Sequence, residues 1–319
     1  MARKYADSWL ALEESIGRKP MGGTVEELRQ QYAALITYLK EHSTPRQYAV
    51  DSHDGNVDGV KYRLYTSKNR ETSKSLPVLI WTHGGGLVVG DLDFDDEYCR
   101  AVTEELDVIV VSVDYRLAPE HKIPTQLQDT LSVFTWARAN ATSFGGDPEK
   151  FITIGGSAGG GLALQVANEL AKHPETRHHI KGVAAFVPVT LHYANVPEEY
   201  KTMYTSYEEN AKDVPMIDKN SMDLFFSYSA ADARDPGAFA ALATDTHEFF
   251  PPTYLMTCEF DPLRDDGVVM EYALKKAGVT VKRDHFDGFP HYFWVYPTIP
   301  ERTIFTAKLI EGLRWLLSL

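Results

Sequence analysis

The amino-acid sequence predicts an α/β protein with a mostly parallel central sheet flanked by helices. Short apolar runs rich in β-branched residues alternate with segments of helical length, which is typical of strand–helix–strand units. The 319 residues and 44% hydrophobic content are sufficient for one large core. No internal repeat or low-complexity linker interrupts this alternation. We therefore expect a single globular unit.

The composition narrows the classes of partner. A formal net charge of −13 at pH 7 argues against nucleic acid and anionic membrane surfaces, because both attract basic patches and no basic run occurs. No long, unbroken apolar window occurs, and the first residues lack the apolar core and cleavage site of a secretory signal. We expect a soluble, cytoplasmic protein with no membrane span.

The cysteines indicate neither a disulfide framework nor a metal site. Cys99 and Cys258 are the only two, and no Cys/His cluster has the spacing of zinc ligands. Both thiols are expected to be buried and free. We therefore expect no metal ion and no cofactor.

The predicted elements follow one another in a regular order. A helix begins at the capping-box pattern from Thr24 to Glu27, and the runs "QYAVDS" and "VKYRLYTS" predict a hairpin. Six further strands are predicted by "PVLIW", "DVIVVSV", "KFITIG", "GVAAFVPV", "TYLMTCE" and "VTVKRDHF". Segments of helical length such as "DDEYCRAVTEEL" separate most of them. Strands that alternate with helices form a parallel sheet that is covered on both faces.

Residues 191–250 break this order because they separate two predicted strands by far more than the roughly dozen residues that a crossover needs. The segment is rich in aromatic residues and methionine, so we expect helices that lie over the sheet. It is either an additional helical layer or a lid over a binding site, and the lid is favoured because insertions at the carboxyl ends of parallel strands bind ligands. We predict residues 1–45 as the N-terminal helical part of a cap, 46–190 as the first part of the core, 191–250 as the cap insertion and 251–319 as the second part of the core.

The stretch "FITIGGSAGGG" predicts a strand, a tight turn and a helix, with Ser157 at the turn. It fits the Gly-x-Ser-x-Gly pattern of a nucleophile elbow, in which a serine is held in a strained backbone conformation above the sheet edge. Glycines are needed there because a nearby Cβ would clash with the neighbouring strand and helix. The alternative is a turn that binds phosphate, but neither a G-x-G-x-x-G pattern nor a Gly-Lys-Ser/Thr sequence accompanies it.

A serine hydroxyl becomes a good nucleophile only when a base accepts its proton, so a histidine must reach it. His291 follows the last predicted strand, at the same sheet edge as Ser157. His285 falls within that strand and is expected on its surface. The other candidates lie in a polar helix-end region and are expected to be solvated: His173, His178 and His179.

The base needs an acid to orient it, and Asp261 follows the strand "TYLMTCE" just before Pro262, which favours a turn. Asp265 and Asp266 compete with it, although they fit better in the first turn of the next helix, where carboxylates complement the helix dipole. Glu259 is a further candidate that ranks behind Asp261.

The chain order Ser157, Asp261, His291 is that of α/β-hydrolases. The motifs "HGGG", "DYRLAPE", "GGSAGGG" and "DPLRD" together resemble the hormone-sensitive-lipase family of that fold, from about residue 46 to the end of the chain. The strip "GFPHYFWVYPTIPERT" is similar to fungal members, including versiconal hemiacetal acetate esterases. The resemblance implies an α/β-hydrolase fold with a helical cap and a catalytic triad of Ser157, Asp261 and His291.

The resemblance also implies an oxyanion hole formed by the backbone N–H groups of Gly85, Gly86 and Ala158. The bare glycines of "HGGG" allow these groups to approach a carbonyl oxygen closely. Leu87, which follows them, is expected to contact substrate.

Two further expectations concern the residues beside the oxyanion loop and the nucleophile. His83 and Gly84 are expected to position the loop. Family members often carry an acidic residue before the nucleophile, whereas this chain has Gly156, next to the substrate pocket. The motif "DYRLAPE" is expected to be scaffold.

The predicted function is a serine carboxylesterase that hydrolyses short- to medium-chain acyl esters through an acyl-enzyme, with a small-molecule ester as its partner. An acetyl ester of a secondary metabolite is one candidate substrate. Two alternatives stay open: a non-hydrolytic relative such as a ligand receptor or a lyase, and an acyltransferase or amidase that uses the same serine. A homodimer is an expectation at the level of the family.

Overall fold

The computed structural model describes residues 3–18, 20–44, 46–71 and 73–319. Its strands are β1 (Val50–Val57), β2 (Val60–Ser67), β3 (Leu76–Thr82), β4 (Ile109–Asp114), β5 (Gly146–Gly156), β6 (Gly182–Phe186), β7 (Thr253–Phe260) and β8 (Val281–Pro290). They form one eight-stranded sheet in the order β1-β2-β4-β3-β5-β6-β7-β8. β2 is antiparallel to β1 and β4, and all other neighbours are parallel. The mostly parallel sheet predicted from the sequence is confirmed.

Helices cover both faces of the sheet. The described helices are α1 (Asp7–Ile16), α2 (Val25–His42), α3 (Asp96–Leu106), α4 (Thr125–Asn140), α5 (Ala158–Ala171), α6 (Ser206–Glu209), α7 (Lys219–Ser229), α8 (Arg264–Lys276) and α9 (Arg302–Leu317). α4, α5 and α8 contribute to the core on one face, whereas α3 and α9 contribute to the core on the other. In the described residues, no helix combines the length and the apolar character that crossing a membrane requires.

Alternation along the strands produces these two cores. In β3, Val78 and Ile80 point into the core beneath α5, while Leu79 and Trp81 point into the core beneath α3 and α9. Successive side chains of a strand face opposite sides of the sheet, so a strand that is buried on both sides is apolar throughout. This is why "PVLIW" appears in the sequence as a continuous apolar run.

A third apolar cluster joins the helical segments to the loop that follows β3. Leu28 of α2 and Phe225 of α7 pack in it with Val88 and Val89 of the loop. Residues 191–250 contain α6, α7 and several short 3-10 helices. We refer to α2 together with residues 191–250 as the cap.

The first helix packs elsewhere. Trp9 of α1 contacts Tyr296 edge-on, at a ring-centroid distance of 5.6 Å, and belongs to the core beneath α3 and α9. Ahead of the helix, the ring of Tyr5 stacks on Phe260 at 3.7 Å. The N-terminal segment is therefore divided, with α1 against the core and α2 over the loop after β3.

Candidate active site

Ser157 lies in the sharp turn between β5 and α5. Its backbone angles are φ 55° and ψ −123°, a conformation that L-residues rarely adopt. Hydrogen bonds hold this strained turn, because Ser157 N donates to Phe186 O at 2.8 Å and Gly161 N donates to Ser157 O at 2.9 Å. The serine is 7% exposed and begins a 14-residue helix, whose positive end favours negative charge nearby.

The glycines around Ser157 allow α5 to approach β3 closely. A Cβ added at Gly155 would lie 2.5 Å from the carbonyl oxygen of Thr82, and one added at Gly159 would lie 2.1 Å from the same oxygen. The Thr82 hydroxyl donates to Gly159 O at 2.7 Å. The glycine pattern thus has the steric cause that the sequence suggested.

His291 and Asp261 form a buried pair. His291 Nδ1 lies 2.7 Å from Asp261 Oδ2, and the two side chains are 5% and 0% exposed. The other carboxylate oxygen, Oδ1, accepts a hydrogen bond from Leu263 N at 2.8 Å. Because Nδ1 faces a carboxylate, it carries the proton, and Nε2 is left as the basic nitrogen.

The three predicted triad residues follow strands β5, β7 and β8, whose carboxyl ends meet at one edge of the sheet. The residue after His291 also touches the residue before Ser157. A Cβ added at Gly156 would lie 1.9 Å from the hydroxyl oxygen of Tyr292. The structure thus brings the histidine loop against the serine turn, and it gives a steric reason for Gly156, where an acidic side chain has no room.

Residues 84–86, which we call the oxyanion loop because Gly85 and Gly86 are predicted oxyanion donors, are wound tightly after β3. Gly85 and Gly86 have φ of +116° and +62°, and the Gly85 carbonyl accepts hydrogen bonds from Val88 N at 3.1 Å and Val89 N at 3.0 Å. Within the described ranges, the N–H groups of Gly85, Gly86 and Ala158 donate no hydrogen bond to another protein atom. They are therefore available to a ligand.

His83 is buried beneath this loop. Its Nδ1 lies 2.7 Å from Gly84 O, and its ring stacks on Tyr115 at 4.1 Å. Burial lowers the pKa of His83 to about 4, so the ring is neutral and Nδ1–H donates to the carbonyl. A Cβ at Gly90 would lie 2.3 Å from His83 Nδ1, which explains the glycine at position 90.

The "DYRLAPE" segment also supports the loop. The Tyr115 hydroxyl donates to His83 O at 2.7 Å, and Ala118 N donates to Leu87 O at 2.8 Å. Arg116 is tied to Asp129 of α4, with 2.6 Å between Arg116 Nη2 and Asp129 Oδ1. The sequence predicted scaffold here, but not that the scaffold holds the oxyanion loop.

Asp265 and Asp266 do not face His291 but fasten the cap to α8. Asp265 Oδ2 accepts hydrogen bonds from Thr205 N and Ser206 N, each at 2.7 Å. Asp266 Oδ1 accepts from Thr190 N at 2.7 Å and from Leu191 N at 2.9 Å. Both lie in the first turn of α8, as predicted, but the sequence did not indicate these contacts with the backbone of residues 190, 191, 205 and 206.

The burial of Asp266 also changes its pKa. Its Oδ2 accepts a hydrogen bond from the Tyr204 hydroxyl at 2.8 Å, and the side chain is fully buried. Burial raises the pKa of Asp266 to about 8, although its three hydrogen-bond donors act in the opposite direction.

The remaining candidates have structural roles or are solvent-exposed. Glu259 Oε2 accepts a hydrogen bond from Gly288 N at 2.7 Å and so supports the turn before His291. His285 lies on the exposed side of β8, and its Nδ1 is 2.9 Å from the Thr257 hydroxyl. In the part of the chain that the structure describes, no cluster of His, Cys, Asp and Glu could hold a metal ion.

A small apolar cavity adjoins the oxyanion loop. Its volume is about 40 Å³. Gly86, Leu87 and Ala158 form one side, and the cap forms much of the rest through Met222, Phe225, Phe226 and Phe239. A Cβ at Gly86 would lie 2.3 Å from the Phe225 ring, so the cap packs directly on the loop. Leu87 lines this cavity, whereas Gly156 lies against Tyr292.

A strained serine between a parallel strand and a helix, a buried Asp–His pair and free backbone N–H groups define the site of a serine hydrolase built on an α/β sheet. Residues 79–295 match the family described as the alpha/beta hydrolase fold, and the chain belongs to this family. The predicted family and fold are confirmed.

Several esterases are similar to the chain over most of its length. A versiconal hemiacetal acetate esterase of Dothistroma septosporum is 51% identical over 319 residues, which cover 100% of this chain and 97% of that protein. A carboxylesterase of Mycobacterium tuberculosis is 34% identical over 72% of this chain and 71% of its own. With the site described above, these similarities make the chain a carboxylic ester hydrolase.

Two solved structures with the same fold are similar to this chain over nearly its entire length. Vibralactone cyclase superposes with a TM-score of 0.87 at 30% identity and covers 99% of this chain and 96% of its own. A bacterial heroin esterase superposes with a TM-score of 0.86 at 27% identity, with 98% of each chain covered.

Proposed function

We propose that Ser157 is the nucleophile of this esterase, that His291 transfers the protons and that Asp261 orients and stabilises His291. The observation that carries the proposal is the 2.7 Å contact between His291 Nδ1 and Asp261 Oδ2, at the sheet edge where the Ser157 turn also lies. This contact leaves Nε2 as the nitrogen that accepts the serine proton.

The reaction then proceeds in two acyl-transfer steps. Ser157 Oγ bonds to the ester carbonyl carbon while its proton moves to His291 Nε2, and a tetrahedral intermediate forms. The intermediate expels the alcohol, which takes that proton, and the acyl group stays on Ser157 as an ester. Water attacks the acyl-enzyme in the same way and releases the carboxylic acid.

The negative oxygen of each tetrahedral intermediate is assigned to the N–H groups of Gly85, Gly86 and Ala158. Their lack of protein partners supports this assignment, because an oxyanion hole needs preorganised donors that are free when the substrate arrives. His83 and Gly84 act indirectly, through the hydrogen bond that fixes the loop.

The substrate is proposed to be an ester of a short acyl group, best an acetyl group. The cavity beside Gly86 and Leu87 is apolar and has a volume of only about 40 Å³, which favours a short acyl group. The name of the Dothistroma septosporum relative, an acetate esterase, supports the same size class. The alcohol part is a secondary-metabolite alcohol in this proposal.

A series of p-nitrophenyl esters from acetate to long acyl chains tests the proposal on the wild type and on Ser157→Ala. We expect the highest kcat/KM for acetate or propionate and loss of nearly all turnover in Ser157→Ala, with an unchanged melting temperature. An organophosphonate should add its mass to the peptide that contains Ser157. No turnover on any ester would contradict the esterase, and a label on another peptide would contradict the nucleophile.

A second acceptor for the acyl group is suggested by the similarity to vibralactone cyclase. A hydroxyl group of the substrate could replace water in the second step. Hydrolysis in ¹⁸O-labelled water distinguishes the two, because only a water acceptor places the label in the released acid. Consumption of the ester without release of labelled acid, with a new ester as the product, would favour an acyltransferase.

A further inference from the structure

Tyr292 adjoins three parts of the site, which are His291, the turn that contains Ser157 and the oxyanion loop. Tyr292 directly follows His291, has a left-handed backbone conformation with φ 57°, and is 4% exposed. Its hydroxyl end lies between the serine turn and the oxyanion loop. A Cβ at Gly156 would be 1.9 Å from the hydroxyl oxygen, and a Cβ at Gly84 would be 2.9 Å from it.

Packing against other aromatic rings restricts movement of the Tyr292 ring away from this position. Its ring stacks on Phe94 at a centroid distance of 5.4 Å and contacts the Trp294 ring at 4.7 Å. Trp294 in turn stacks on Phe305 of α9 at 4.0 Å. A packed core transmits such a constraint because it deforms little. The ring is therefore supported from behind, while its tip meets the two glycines.

The two glycines belong to the two groups whose separation matters for catalysis. Gly156 precedes Ser157, and Gly84 precedes the predicted oxyanion donors Gly85 and Gly86. The distance from the nucleophile to those donors must match the tetrahedral intermediate, and a misplacement of about 1 Å can cost roughly 100-fold in rate. The tip of the Tyr292 ring lies between these two backbones.

We propose that Tyr292 is a positioning residue, a wedge that holds the serine turn and the oxyanion loop at their working separation. This inference rests on the proposed function, because it needs Ser157 and the loop to act together. It also states why position 156 requires glycine: any larger residue displaces the wedge. The bulk of the ring, rather than the hydroxyl group, performs this role.

A double-mutant cycle with Gly156→Ala and Tyr292→Leu tests the wedge, with p-nitrophenyl acetate as substrate. Gly156→Ala should lower kcat about 100-fold, since the Cβ displaces Tyr292, while KM changes less than about threefold. Adding Tyr292→Leu removes the overlapping atoms and should restore kcat at least about tenfold over Gly156→Ala. Tyr292→Phe, which keeps the ring, should stay within about threefold of the wild type.

A trifluoromethyl ketone provides a second readout, because its adduct with serine mimics the tetrahedral oxyanion. Its inhibition constant should rise in parallel with the fall in kcat for Gly156→Ala and Tyr292→Leu, as expected for a loss in transition-state binding. An inhibition constant that stays at the wild-type value would overturn the wedge.

The chain offers a matched control pair away from the site. A Cβ at Gly312 of α9 would lie 2.0 Å from the ring of Tyr254, which is fully buried. Gly312→Ala should lower the melting temperature, but below that temperature kcat should stay within about threefold of the wild type. An equal loss of kcat in Gly312→Ala would mean that any packing defect slows the enzyme, which contradicts a specific wedge.

The remaining outcomes also decide the question. If Gly156→Ala does not fold, recovery of folded protein in the double variant demonstrates the same coupling, and failure to recover refutes it. Additive effects in the cycle, or a loss in Tyr292→Phe as large as in Tyr292→Leu, would also refute the wedge. An inactive wild type would instead refute the proposed function, so the two failures are distinguishable.

Discussion

Gly85→Ala is the substitution that tests the oxyanion loop most directly. Gly85 has φ +116°, and an added Cβ would lie 2.0 Å from the backbone carbonyl oxygen of Val89. Backbone atoms cannot rotate away as the end of a side chain can. Reaching even 3.0 Å, the lower limit of real Cβ contacts, would require the loop to move by about 1 Å.

The magnitude follows from what such a movement does to the donors. An N–H group about 1 Å further from the oxyanion no longer forms a good hydrogen bond, and loss of one such donor costs about 100- to 1000-fold in kcat, or roughly 3–4 kcal/mol of transition-state stabilisation. We expect KM to change little, because the neutral ester carbonyl depends less on these donors than the oxyanion does.

The assay is the initial rate on p-nitrophenyl acetate, with the melting temperature measured on the same samples. Gly59→Ala is the matched control: Gly59 has φ +91° in the β1–β2 turn, but nothing lies within 4 Å of its added Cβ. Both substitutions strain a left-handed position, yet only the first disturbs the loop. Gly85→Ala with more than about a tenth of the wild-type kcat would refute the reasoning, as would an equal loss in Gly59→Ala.

Three further substitutions give separate outcomes. Phe225→Ala should enlarge the cavity beside Gly86 and raise kcat/KM for p-nitrophenyl hexanoate relative to acetate by about tenfold or more, and an unchanged ratio in the ester series would place the acyl group elsewhere. Asp261→Asn should lower kcat by roughly 10³- to 10⁴-fold because the amide cannot stabilise the imidazolium, and a loss below tenfold in the same assay would remove Asp261 from the triad. Burial raises the pKa of Asp266 to about 8, well above that of an unfolded aspartate, so the folded state binds this proton more tightly, and the contribution of this group to stability should fall as pH rises from about 4 to 8, by at most about 1.4 kcal/mol per pH unit. Asp266→Asn removes this contribution, so the free energy of unfolding of the wild type minus that of the variant, measured in urea, should fall over this pH range, and a constant difference would contradict this prediction.

Much of the fold could be predicted because its determinants are local. Strands buried on both faces must be apolar throughout, so "PVLIW" and "DVIVVSV" can be recognised as strands from the sequence alone. The elbow could also be predicted from the sequence, because a Cβ at Gly155 or Gly159 would clash with Thr82 and only glycine fits there. Asp261 and His291 each follow the end of a predicted strand, and this position indicates the other two residues of the predicted triad.

The parts that escaped prediction depend on contacts between distant segments. Asp265 and Asp266 occupy the first turn of α8, where a dipole role is a sufficient explanation, and nothing nearby reveals that Thr205 N and Thr190 N lie opposite them. The sequence around Gly156 also does not indicate its contact with Tyr292, because Tyr292 approaches it from the end of another strand. Such pairings are properties of the folded chain rather than of any sequence window.

The fastening of the cap has a consequence for how the enzyme could change its substrate. Asp265 and Asp266 accept hydrogen bonds mainly from backbone N–H groups, which are those of Thr190, Leu191, Thr205 and Ser206. A backbone N–H group is retained in almost any substitution except one to proline. These hydrogen bonds therefore persist when side chains elsewhere in the cap are replaced, including those that line the cavity. A lineage could exchange one ester for another by drift in the cap while the reaction centre beneath it stayed intact.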